Sequence, residues 1–152
     1  MNIATDIAPT HTQSLSPQAA LVIGLAATSI PFADGPEAEV DRWLRILRMQ
    51  GRTGRILQAL GVGEASLRPD LPDAARPRRR WRRSGDNVVD LVSAAAADSA
   101  LARHARAVET EDVLGGLIRV YGRLFEEALE AHGTTSREVL ERLELDPPER
   151  AR

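Results

Sequence analysis

The chain has 152 residues, 43% of them hydrophobic, enough for one sizeable core or two small ones packed together. Its formal charge of −2 gives no overall field to steer it to nucleic acid or an anionic membrane. With no cysteine and no lysine, thiolate metal sites, cysteine nucleophiles and the P-loop lysine are excluded, and all 20 basic residues are arginine.

Residues 1–14 are polar and aperiodic, and are expected to form a flexible arm with neither the basic nor the apolar region of a signal peptide. Together with the absence of cysteine and of any membrane-length apolar run, this places the chain in the cytoplasm by expectation. Ser16 then stands ready to cap a helix whose first residue is Pro17. Leu21, Val22, Leu25 and Ala26 follow at helical spacing and are the expected inner stripe.

"PFADGPE" breaks the chain, and Val40, Trp43, Leu44 and Leu47 make the next stripe, with Ile46 beside it. Gly51 closes that segment. "RTGRILQALGVG" predicts a short helix with Ile56, Leu57 and Leu60 on one side and Gly61 as its left-handed terminator.

Residues 66–85 shift to prolines and arginines and read as a linker. Helical pattern resumes behind Asp86, taken as the cap, with Val88, Val92, Ala95 and Ala96. "LARHARAVE" reads as a weaker turn or loop. Thr110 is the expected cap of the clearest stripe, Val113, Leu114, Leu117, Ile118 and Tyr121, which runs on through Leu124, Phe125, Ala128 and Leu129 to Gly133. "TSRE" at 135–138 reads as a capping box for a last helix carrying Val139, Leu140 and Leu143. No strand is predicted, because β-branched and aromatic alternation is missing.

The two halves share a plan. "GRILQALGVGEASL" is built like "EEALEAHGTTSREVL", "WLRILRMQG" answers "LGGLIRVYG", and Ser16 answers Asp86 as an opening cap. On these residues a family resemblance can be stated. "TEDVLGGLIR" at 110–119 resembles the Thr-Glu-His-Ile-Leu-Leu-Gly-Leu-Ile-Arg signature of the repeated N-terminal domain of Clp chaperone ATPases. "LSPQAALVIGLA" resembles that domain's opening helix, and "ILQALGVG" the helix and glycine that close each copy.

The resemblance implies an all-α fold, two pseudo-symmetric helical repeats of about four helices each, packed as one double Clp-N-like domain over residues 15–144. Copy one would span 15–65 and copy two 86–144, with a tail at 145–152. It implies a non-catalytic module that binds protein or peptide segments, arginine-phosphorylated proteins or a Clp chaperone or protease among them, as an adaptor, decoy or regulator of protein quality control. The chain departs from the family in lacking the Gly-His before each signature, in carrying Asp112 in place of the signature His, and in the absence of an ATPase module.

In the family the Glu of Thr-Glu receives the guanidinium of a phosphorylated arginine, while the capping Thr helps to hold the phosphate. Carried over, this gives Glu111 with Asp86 in copy two and Ser16 with Glu39 in copy one. A carboxylate at position 86 would repel phosphate, so binding is expected to be weak or lost in copy two. Without the resemblance, Glu111 and Asp112 need only oppose the positive end of a helix dipole.

A second candidate contact surface is "RPRRRWRR", where Arg78, Arg79, Arg80, Arg82 and Arg83 flank Trp81 and could grip phosphates and stack on a base. The plainer reading is a hydrated linker. This leaves a nucleic-acid-associated regulator, and also an unrelated helical interaction protein, as alternatives. Catalysis finds little support: His11, His104 and His132 are scattered, no metalloprotease, nucleophile-elbow or calcium-loop motif occurs, and no cofactor is expected.

Overall fold

The computed structural model describes residues 13–62 and 87–145. Seven α-helices make up most of it: α1 (Pro17–Ser29), α2 (Pro36–Arg48), α3 (Gly51–Ala59), α4 (Val88–Ala102), α5 (Thr110–Tyr121), α6 (Arg123–Ala131) and α7 (Ser136–Leu145). A 3-10 turn, Ile30–Phe32, joins α1 to α2. The expected linker 66–85, Asp86, the tail beyond 145 and most of the arm lie outside the described residues.

Two short strands, β1 (Ser14–Leu15) and β2 (Ala107–Val108), pair in parallel, with Ser14 opposite Ala107 and Leu15 opposite Val108. Neither was predicted, since two residues are too few to show alternation. Gln13 donates a side-chain hydrogen bond to the Ala105 carbonyl and Ser14 Oγ to that of Arg106 (3.1 Å), so the end of the expected arm is tied down across the molecule.

Helix starts follow local chemistry. Ser16 Oγ accepts from the Ala19 N–H at 3.1 Å, as its place before Pro17 implies. At α4 the cap is Asn87, one residue beyond the expected Asp86; its Oδ1 accepts from Val89 N–H at 3.0 Å. Thr110 is not a cap either. Glu109 holds that position, and Asp112 closes it by accepting from the Glu109 N–H at 2.9 Å. Thr135 Oγ1 accepts from Glu138 N–H as expected, while the Glu138 carboxylate turns to the Thr134 hydroxyl.

Three helices end alike: Val62 N–H bonds Leu57, Ala105 bonds Ala100 and Thr134 bonds Leu129. Gly61 and Gly133 supply the left-handed residue in two of these, and His104 (φ 55°) does so after α4. The long apolar run from Val113 to Leu129 is not one helix, because Gly122 (φ 54°) divides α5 from α6.

One continuous core joins the two halves. α2 buries Val40, Trp43, Leu44 and Leu47 as the spacing predicts, and α5 buries Val113, Leu114, Leu117 and Tyr121. On α1 the expectation holds for Val22 and Ala26, which face inward with Ala19 and Ile30, and fails for Leu21 and Leu25, which face solvent. Small and apolar residues dominate that helix, and only Gln18 and Thr28 mark its exposed side, so its sequence carries little preference for either face. α4 packs so tightly on α5 that a Cβ at Gly116 would lie 2.8 Å from the Val92 carbonyl oxygen.

Candidate functional site

The Thr-Glu-Asp triplet opens α5 where other helix starts converge. Gly51, the first residue of α3 (φ 63°), lies so close that a Cβ there would meet Thr110 Oγ1 at 3.0 Å and Gln18 Cβ, in the first turn of α1, at 3.7 Å. Thr110 is buried, and its hydroxyl donates to Thr53 Oγ1 in the first turn of α3 at 3.1 Å. The starts of α1, α3 and α5 therefore bring three positive dipole ends together, which Glu109, Glu111 and Asp112 oppose.

Asp112 is buried and fully occupied. Its Oδ1 accepts from Ser99 Oγ and from Arg103 Nε, both at 2.9 Å, and its Oδ2 accepts from Arg103 Nη2 at 2.5 Å. The hydrogen bonds that Arg103 donates to Asp112 raise the pKa of its guanidinium above the ordinary value, against partial burial, and the charges of Asp112, Glu111 and Glu109 add to the effect. Arg103 thus locks the end of α4 to the start of α5.

Glu111 sits at the edge of this network with a quarter of its side chain exposed. Its Oε2 accepts from Arg52 Nη1 at 3.0 Å, and its Oε1 lies 3.6 Å from Arg103 Nη1. Arg52 Nη2 donates in turn to the Leu143 carbonyl in the last turn of α7. One guanidinium from α3 therefore bridges a carboxylate on α5 and a carbonyl on α7.

The other site residues are placed differently. Ser16 is buried, with its hydroxyl engaged in the α1 cap. Glu39 is also buried, and Tyr121 Oη donates to its Oε2 at 2.8 Å, while Trp43 Nε1 donates to Tyr121 Oη at 3.1 Å. This Trp-Tyr-Glu chain ties α2 to α5 through the core. Asp86, Arg78, Arg79, Arg80, Trp81, Arg82 and Arg83 lie outside the described residues.

Sequence reasoning missed Arg52, Arg103 and the Tyr121 link. For Arg52 a signal exists: a cation in the first turn of a helix stands against the dipole, so it requires an acid from elsewhere.

Among the described residues no cluster of three or more His, Asp or Glu side chains is arranged to hold a metal, and no helix is long and apolar enough to cross a membrane. A shallow groove of about 430 Å³ between α3 and α7 is lined by Ile56, Ala59, Arg142 and Leu145. Comparison with protein-family models, curated proteins and solved structures returns no match.

Proposed function

We propose that this chain is a non-catalytic protein-binding module of the Clp-N kind, an adaptor, decoy or regulator of protein quality control. The observation that carries the reading is the outer face of α1. From Gln13 to Ala33 there is no charged residue, yet Leu21 is 47%, Leu25 42% and Phe32 77% exposed. Leu21 and Leu25 are one turn apart on the same face. An apolar surface of this kind, without charge to solvate it, is suited to a partner's apolar side chains.

Two repeats built to one plan fit the spacing of local devices. The caps Ser16 and Asn87 are as far apart in sequence as the left-handed glycines Gly51 and Gly122. Ser16 and Asn87 cap α1 and α4, while Gly51 begins α3 and Gly122 immediately precedes α6, which is the pairing a two-repeat plan calls for.

Capture of protein partners from a native lysate tests the proposal. The double variant Leu21→Glu/Leu25→Glu should lose partners that the wild type retains, and an identical partner set would end the reading. If instead the arginine run dominates, binding to DNA should fall steeply with salt, a slope the adaptor reading does not require.

A further inference from the structure

The outer side of α1 is uncharged along its whole length, with Leu15 exposed just before the helix and Phe32 just after it. Helical spacing sorts its exposed residues into two rows, Leu21 and Leu25 on one and Ala20, Gly24 and Ala27 on the other. A Cβ at Gly24 would meet nothing within 4 Å, so the row of small residues has room for a second helix close by. The face also matches itself in reverse. Turned end for end about Ile23 and Gly24, Leu21 comes opposite Leu25, Ala20 opposite Ala27 and Phe32 opposite Leu15.

Charge follows the same reversal. The acids Asp34 and Glu37 are exposed beyond the C-terminal end of α1. Arg106 is exposed at the other end, where its carbonyl accepts from Ser14 Oγ. We propose that the occupant of this face is a second copy of the chain, packed with α1 antiparallel to α1 across a two-fold axis. Each Leu21 then lies on the other copy's Leu25, and each Arg106 comes beside the other copy's Asp34 and Glu37, so every favourable contact is made twice. A parallel pair would set acid against acid. The apolar centre supplies the affinity, while the charges at the rim are screened by salt and mainly fix the direction. A face one helix wide stands at the low end of stable interfaces, so the dimer should dissociate in the micromolar range. Pairing hides Leu21 and Leu25, and any other partner must compete with it.

The inference rests on the exposed α1 face that also carries the binding-module reading. Sedimentation velocity over about 1–500 µM should show the wild type passing from the 16.5 kDa monomer to twice that mass. Leu21→Glu/Leu25→Glu sets carboxylate on carboxylate and should raise Kd at least about 100-fold. Arg106→Glu alone, and Asp34→Arg/Glu37→Arg alone, should each raise it about tenfold at low salt. An equimolar mixture of those two variants should restore wild-type association, because opposite charges then meet at both ends of the contact. All of these positions are exposed, so the variants should keep the wild-type circular dichroism. A wild type that stays monomeric over this range, a dimer indifferent to the double glutamate, or a mixture no tighter than either variant alone would overturn the proposal. A monomeric wild type whose partner capture still depends on Leu21 and Leu25 would discard the dimer and leave the binding module. A dimer lost in the double variant while the captured partners stay the same would uphold the dimer and end the module.

Discussion

Glu39 and Glu111 carry the same cue in the sequence, an acid in the first turns of an amphipathic helix, yet they end in opposite settings. Glu39 is buried beneath a tyrosine hydroxyl that itself takes the Trp43 N–H, inside the seam between α2 and α5. Glu111 lies at a partly open edge between two guanidiniums. The first arrangement is held by desolvation, since its groups have no water to return to; the second is held by charge and can exchange partners. The difference marks Glu39 as part of the buried seam between α2 and α5, and Glu111 as part of a partly exposed charge network that joins α3, α4 and α5.

That contrast can be broken most strongly next to Glu111, at its neighbour. Asp112→Ala removes the acceptor of Ser99, Arg103 and the Glu109 N–H together, and should cost about 3 kcal/mol in urea denaturation. Tyr121→Phe takes away the hydroxyl between Trp43 and Glu39 and should cost about 2 kcal/mol, with little dependence on salt. Glu111→Gln should cost only about 0.5–1 kcal/mol, and the difference from wild type should shrink as salt rises, as befits a partly exposed pair. If Glu111→Gln proved as costly as Tyr121→Phe, the distinction between the two sites would fail. Smallest of all, Leu25→Glu should change stability by about 0.5 kcal/mol or less while still weakening partner capture.

Much of the frame was legible because it depends on neighbours a few residues apart. Ser16 bonds three residues on, Thr135 does the same for Glu138, and Gly61 needs only its own backbone freedom to end α3. The stripes of α2 and α5 could be read because polar residues fill their other faces. α1 offered little such contrast: Val22 and Ala26 are buried as expected, whereas Leu21 and Leu25, expected beside them, face solvent. Thr110 has the better side chain for a cap, yet Glu109 holds that position, because the Asp112 carboxylate reaches back to the Glu109 N–H.

The partners of the candidate site were less legible. Arg52 and Glu111 are 59 positions apart, and Tyr121 and Glu39 are 82 apart. Periodicity reports which face of a helix is apolar and not which helix will lie opposite it.

The sequence by itself determined a mostly helical frame, the caps Ser16 and Thr135, the stops at Gly61 and Gly133, and the presence of acids at the head of α5, because caps, glycines and apolar periods act over one or two turns. Only the tertiary structure decided which apolar face of α1 stays open and which cation Glu111 holds. Those outcomes depend on helices distant along the chain coming to lie side by side, where size and charge select the neighbour.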